Sequence, residues 1–244
     1  MLVTNRRIIL TGGASGIGAC ALRKFVAEGA AQIYVADSNA TGLAEVIRTL
    51  PAKSPVVPVE VDVSDRAALE DFLRSADAAM GGVDLVINNA GIMSGSDDFP
   101  ATSLEAMSRV IDVNLIAMMI GTRLGIELMH RRGVSGVILN TASVAAFNPM
   151  PADPAYAASK AAIVNFTQSC GPIAASHGVR VMAICPGVTD TAIVPHDAEW
   201  LKPALARVEF LTPDDIVSAM LEVIGDETFF GDYVRVDNPV RTEP

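Results

Sequence analysis

A chain of 244 residues that is 50% hydrophobic, 19% charged and 5% aromatic can bury a sizeable aliphatic core, and its length suits one large α/β domain or two small ones. A formal net charge of −10, with no compensating basic run, argues against nucleic-acid binding, because phosphate contacts need clustered Lys and Arg. The three cysteines, Cys20, Cys170 and Cys185, lack metal-ligand spacing and leave an odd count for disulfides, so reduced, buried thiols in a cytoplasmic protein and no metal site are expected.

The first apolar run, Ile8-Ile9-Leu10, ends at once in Thr11-Gly12-Gly13. That reads as a strand entering a glycine loop, and the run is too short for a signal peptide. No apolar run approaches the length of a membrane span, so a soluble protein is expected. Short apolar runs then alternate with helical patterns, the signature of a parallel sheet covered by helices. A helix is expected over Ile17–Glu28, a strand over Gln32–Ala36 ending at Asp37, a helix over Gly42–Leu50 capped near Asn39 or Thr41, and a third strand over Val56–Val61 ending at Asp62. Ser64 is the expected cap of a helix running to Met80. A fourth strand, Val83–Asn88, leads into Asn89-Ala90-Gly91. The stretch from about Ser103 to Arg132 reads as one long helix buried on several sides. A fifth strand follows at Gly136–Thr141, then a helix from Tyr156 to about Ser176 that Pro172 kinks or breaks. The sixth strand, Arg180–Ile184, is stopped by Pro186-Gly187. Residues 189 to about 211 are irregular, Thr212 caps a helix over Pro213–Ile224, and Tyr233–Val236 is the last strand. With no linker, repeat or low-complexity segment, one Rossmann-type doubly wound domain of about seven strands over residues 1–244 is the expectation, with a small lid at about 190–211.

Between the first strand and first helix lies Thr11-Gly-Gly-Ala-Ser-Gly-Ile-Gly18. Glycines at Gly12, Gly16 and Gly18, with Ser15 and Ile17 between them, allow a tight turn and let a pyrophosphate approach the backbone at a helix N-terminus. Their spacing departs from G-x-G-x-x-G, and a glycine-rich turn without a ligand is the alternative. Asp37 falls about 20 residues on, where a carboxylate binds a ribose 2′-hydroxyl and repels a 2′-phosphate. Ser38 and Asn39 bring no cation, so NAD is favoured over NADP; a solvated strand-end Asp is the competing reading. Asp62, at the next strand end, suggests a further polar contact near the adenine.

Tyr156 and Lys160 lie four apart, hence on one face of a helix. Unperturbed values of about 10 and 10.4 put both far from neutrality, but a cation close to the phenol favours the phenolate. From these residues alone, a packed Tyr156 and a solvated Lys160 serve equally well.

Taken together, Thr11 to Gly18, Asp62-Val63, Asn88-Asn89-Ala90-Gly91, Asn114, Ser143, Tyr156-x-x-x-Lys160 and Pro186-Gly187 resemble the short-chain dehydrogenase/reductase family over nearly the whole chain. The order and spacing carry the resemblance, including Ser143 thirteen positions before Tyr156. It implies that Tyr156 is the acid/base, that Lys160 binds the nicotinamide ribose and lowers the tyrosine pKa, that Ser143 hydrogen-bonds the substrate oxygen, and that Asn114 holds a water in a relay to Lys160. It also implies that Asp62, Val63, Asn89, Ala90 and Gly91 line the cofactor groove and that Pro186, Gly187, Val188, Thr189 and Thr191 cover the nicotinamide. Leu211-Thr-Pro-Asp-Asp215, Gly225-Asp226 and Gly231-Asp-Tyr233 are similar to the 15-hydroxyprostaglandin dehydrogenase-like branch. Departures are Ala142 where a second serine is common, Met182 for a common asparagine, Gly171-Pro172 inside a helix, and a tail without the usual Gly-rich ending. The last two bear on family tetramers, leaving a homodimer or a homotetramer.

On the substrate side, Ile92, Met93, Val144, Phe147, Met150, Ile193, Val194, Trp200 and Leu201 are candidate lining residues, although they would also serve to close a core. No Arg or Lys stands early in the lid, so no carboxylate or phosphate clamp is evident. His196 reads as a surface histidine and Asp97-Asp98 as a solvated turn. The expected activity is NAD-linked interconversion of a secondary alcohol and a ketone on a neutral, fairly apolar small molecule. The rivals are an NADPH-dependent carbonyl or 3-oxoacyl reductase and a non-catalytic dinucleotide sensor on the same fold.

Overall fold

The structure is a computed structural model and describes residues 3–195 and 198–240; His196 lies outside them. The chain alternates β1 (Arg7–Thr11), α1 (Gly16–Ala27), β2 (Gln32–Asp37), α2 (Ala40–Arg48), β3 (Val56–Glu60), α3 (Arg66–Met80) and β4 (Leu85–Asn88). It continues through α4 (Leu104–Ile111), a π-helical turn (Asp112–Ile116), α5 (Ala117–Arg131), β5 (Gly136–Thr141) and a 3-10 turn (Val144–Ala146). Then come α6 (Pro154–Ser169), α7 (Gly171–His177), β6 (Val179–Pro186), the short α8 (Lys202–Leu205), α9 (Pro213–Gly225) and β7 (Tyr233–Val236).

Among the described residues the seven strands form one parallel sheet in the order β3-β2-β1-β4-β5-β6-β7. The central strands are apolar because helices cover both faces. Ile8, Leu10, Ile87, Leu139 and Ile184 face a core closed by α1 and α9. Ile9, Val86, Ile138 and Val181 face the opposite core, which α3 and α5 complete. The strand order reverses between β1 and β4, and in such sheets the crevice at the carboxyl ends of the strands is where ligands bind.

The structure corrects several local expectations. Asp65, not Ser64, caps α3: its carboxylate accepts from the backbone N–H groups of Ala67 and Ala68. Ser64 is taken up by Asp62, to which both its backbone N–H and its hydroxyl donate. The long helix is capped by Ser103 and buried on several sides, as expected, but one of its turns is π-helical and contains the buried Asn114. The break near Pro172 falls at Cys170, and Pro172 sits in the first turn of α7, where its missing N–H has no intrahelical partner to lose. Pro186 does not stop β6; it is the last paired residue, opposite Val236. Pairing with β5 ends at Ile184, so a proline two residues beyond leaves no ladder bond to β5 unmade. Among the described residues no helix is long and apolar enough to cross a membrane.

Candidate active site

Thr11, Asp37, Asn88, Thr141 and Pro186 end five neighbouring strands, and the loops that follow them converge on one cavity of about 780 Å³. Gly12 has φ +75° and Gly16 φ +51°, the left-handed region that glycine enters without cost. A methyl group on Gly12 would lie 2.8 Å from the Ala90 Cα, and one on Gly18 would fall onto the Gly12 carbonyl oxygen. The loop therefore presents bare backbone at the opening of α1. Thr11, a role not foreseen from the sequence, joins it to the loop after β4, its hydroxyl accepting from the N–H groups of Asn89 and Ala90 at 3.1 and 3.2 Å. The Asn89 side chain donates to the carbonyls of Thr11 and Gly12.

Asp37 is held by the backbone N–H groups of Ala14 and Asn39, each at 2.9 Å, which leaves its remaining lone pairs toward the cavity rim. Asp62 also lines the cavity, but it is already paired: the Arg109 guanidinium donates to it at 2.8 Å, alongside Ser64. Burial works to raise the Asp62 carboxyl, and the hydrogen bonds from Arg109 and Ser64 outweigh it, holding the group below its ordinary value. Arg109 comes from α4, remote in sequence, and nothing in its local pattern signals this contact.

At the other end, α6 begins at Pro154, so Tyr156 sits in its first turn and Lys160 one turn on. Lys160 is 3% exposed, and its Nζ donates to the Thr141 carbonyl at 2.9 Å. Burial pulls it down to about 8, with Cys185 on β6 pushing the other way, so it remains mostly protonated at neutral pH. Its Nζ lies 5.6 Å from the centre of the Tyr156 ring. The expected lowering of Tyr156 by this cation is not the outcome. Burial pushes the phenol above its ordinary value; the Ser143 hydrogen bond pulls it down and the negative charge of Asp153 pushes it up. Withdrawal from water outweighs these local contacts.

Ser143 is buried at the end of β5, accepts from the Ala145 N–H and shares a hydrogen bond with Tyr156. The Asn114 side chain is fully engaged: it accepts from the Ile92 N–H at 2.8 Å and donates to the Ile92 carbonyl and the Ser159 hydroxyl. Ser159 in turn donates to the Tyr156 carbonyl. Asn114 thus ties the loop after Gly91 to α6, a fixed brace rather than a free amide.

Of the site residues expected from the sequence, Gly18 and Asn114 stand behind the wall, and the others line the cavity, from Gly12, Ser15, Gly16, Ile17, Asp37, Asp62 and Val63 through Asn89, Ala90 and Gly91 to Ser143, Tyr156, Lys160, Pro186, Gly187, Val188, Thr189 and Thr191. The segment from Gly187 to Thr191 is pinned by Leu211, which pairs with Thr189, and by Asn238, whose side chain bridges the N–H and carbonyl of Val188. Asn238, too, was not foreseen. Of the candidate apolar lining, Ile92, Met93, Val144, Met150, Ile193, Val194, Trp200 and Leu201 reach the cavity. Phe147 does not: its ring packs on Tyr233 at 4.8 Å, under Arg235.

A dinucleotide fits what is present. The bare glycine cradle at a helix N-terminus suits a pyrophosphate, Asp37 a ribose hydroxyl, and the cavity-lining Thr141 hydroxyl is buried without a partner. Comparison with known proteins agrees. The family model for short chain dehydrogenases matches residues 6–202. The chain belongs to the short-chain dehydrogenase family and is an oxidoreductase. It is similar to 3beta-hydroxysteroid dehydrogenase 2 of Eggerthella lenta, with 36% identity over 97% of this chain and 95% of that one. With galactitol 2-dehydrogenase of Agrobacterium fabrum it shares 35% identity over 88% and 89%. Among solved structures, levodione reductase superposes with a TM-score of 0.86 at 25% identity, covering 96% of each chain. A short chain dehydrogenase from Burkholderia cenocepacia in complex with NADP gives 0.86 at 25% identity, over 97% of this chain and 98% of that one.

Proposed function

We propose that the protein is an NAD-dependent dehydrogenase that interconverts a secondary alcohol and a ketone on a neutral, apolar, ring-shaped small molecule. The observation that carries this reading is the meeting of Tyr156, Ser143 and Lys160 where the glycine-lined groove opens into an apolar chamber. The bound nicotinamide supplies the hydride acceptor or donor. Ser143 donates to the substrate oxygen and fixes it beside the phenol. Tyr156 takes the hydroxyl proton in oxidation and returns it in reduction. Lys160 stays charged at the back of the site, held by the Thr141 carbonyl, and stabilises negative charge as the phenol ionises. Asn114 holds the loop that carries Ile92 and Met93, and residues 190–195 and 198–211 contribute to a lid whose Ile193, Val194, Trp200 and Leu201 exclude water. This reading includes Asp37 as the ribose contact that selects NAD.

Among the described residues, the chamber side has Asn148 as its polar side chain beyond the proposed catalytic groups, and the cavity has Lys160 and Arg109 as its cations, the latter bound to Asp62. A polyol or an acyl thioester with a phosphorylated tail finds little to recognise there, whereas an alicyclic alcohol finds apolar walls. The relatives named as hydroxysteroid dehydrogenases and levodione reductase support the same class. A second reading, an NADPH-linked reductase, is favoured by the NADP complex of the Burkholderia structure. Assay of a 3-hydroxysteroid and of an alicyclic ketone with each cofactor separates the two. Replacing Tyr156→Phe is expected to lower turnover by about 10²–10⁴-fold while cofactor binding persists; undiminished turnover rejects the mechanism.

A further inference from the structure

Asp153 belongs to no motif in the sequence, and none of the roles above uses it. It stands one residue before α6 and is 2% exposed. Three hydrogen bonds reach its carboxylate from described residues. Oδ1 accepts from the Tyr156 backbone N–H at 3.1 Å and from the Ser94 hydroxyl at 2.7 Å. Oδ2 accepts from the Ser94 backbone N–H at 2.9 Å. One buried side chain therefore grips two segments at once. The first is the opening turn of the helix that carries Tyr156. The second is the loop after Gly91, whose Ile92 and Met93 wall the cavity. Asn114 holds the same loop two residues earlier, at Ile92.

We propose that Asp153 is a positioning residue of the active site, locking the loop that walls the substrate chamber to the first turn of the catalytic helix. The inference rests on the role given to Tyr156 above. A carboxylate at a helix N-terminus is favourable to the helix, and a neutral serine or threonine would serve that purpose as well. What a neutral cap lacks is the second grip on Ser94 and the charge. That charge opposes ionisation of Tyr156, acting with burial and against the Ser143 hydrogen bond. Among the described residues, Lys160 on the same helix also stands by the phenol, and the Cys185 thiol on β6 acts on Lys160. Removal of Asp153 accordingly leaves a phenol that ionises more readily and a loop that is held less firmly.

Two variants separate these effects from simple capping. Asp153→Ser keeps an oxygen for the Tyr156 N–H but loses the charge and the grip on Ser94. Ser94→Ala keeps the charge and the cap and loses the hydroxyl bond. Tyr156 is titrated in the ligand-free protein by ultraviolet absorbance of the phenolate, as the difference from the same variant carrying Tyr156→Phe. Asp153→Ser is expected to lower the Tyr156 midpoint by roughly half a pH unit or more, whereas Ser94→Ala leaves it in place. Both are expected to raise KM for a 3-hydroxysteroid severalfold. An Asp153→Ser protein that loses thermal stability while its Tyr156 midpoint and its KM stay unchanged overturns the proposal, because Asp153 is then a helix cap and nothing more. Inertness of the unmodified protein toward the steroid rejects the substrate class proposed above, and the Tyr156 midpoint still decides the role of Asp153.

Discussion

Replacing Asp37→Ser tests the cofactor reading at the point where the geometry is most specific. Two backbone N–H groups at 2.9 Å fix the carboxylate at the end of β2, one of them from the glycine loop itself, so it cannot swing aside for a 2′-phosphate. With about 5 Å between the charges and an effective dielectric of about 20, each unit of phosphate charge costs about 3 kcal/mol. The group carries about −1.5 to −2 charges at neutral pH, but the site is open to solvent, which screens the repulsion. About 2–3 kcal/mol remains, or roughly 30- to 150-fold against NADP. The same substitution exchanges a charged hydrogen bond to the ribose of NAD for a neutral one from serine, a loss of about 1 kcal/mol. Asp37→Ser is thus expected to shift the ratio of NAD to NADP affinity by about 10²–10³-fold toward NADP. Trp200 is the chain's one tryptophan and lines the cavity, so quenching of its fluorescence reports both affinities directly. Equal affinity of the unmodified protein for the two cofactors, or a ratio that Asp37→Ser leaves unmoved, refutes the reasoning.

Gly18→Ala places a methyl group on the Gly12 carbonyl, so the glycine loop must shift; cofactor binding is expected to fall below detection by the same fluorescence titration while the circular dichroism of the helices is retained. Asp84→Asn removes the carboxylate that accepts from Arg7 through its backbone N–H, Nε and Nη2, and a loss of about 2–3 kcal/mol in urea unfolding is expected. Burial raises the Asp84 carboxyl, but its bonds to Arg7 outweigh this and hold it below its ordinary value. Its contribution is therefore present above the unfolded value of about 3.9 and disappears as the pH falls through the folded value. The difference in stability between the parent and Asp84→Asn is expected to shrink below about pH 4, and a difference that persists into stronger acid counts against this assignment.

The acidity of Tyr156 has a bearing on direction. With burial holding the phenol above its ordinary value, the protonated form dominates in the ligand-free site, which suits donation of a proton to a ketone oxygen. In the proposed mechanism oxidation draws on the phenolate and is expected to gain with rising pH. Lys160, at about 8, loses its charge over part of that range, which limits the gain.

The sheet, its strand positions and the glycine loop were legible in the chain because they rest on local rules. Apolar runs buried on two faces, glycines between a strand and a helix, and an i, i+4 pair are patterns within a few residues. The same holds for most of the cavity wall, since strand ends and the loops after them face one rim once the strands run parallel. What the chain alone could not determine depends on residues far apart in sequence. Arg109 reaches Asp62 across 47 positions, Asp153 reaches Ser94 across 59, and Asn238 reaches Val188 across 50; no local periodicity encodes such pairs. Phe147 was apolar and close to Ser143, yet its ring belongs with Tyr233 on β7, two strands away from β5. The sign of the Tyr156 shift was likewise a tertiary matter. Spacing put a cation four residues away, but the cost of withdrawing the phenol from water depends on everything packed around it. Sequence by itself determined which candidate groups line the cavity and in what order they occur along the chain. Only the packed structure decided how deeply they are buried and which remote side chains hold them in place.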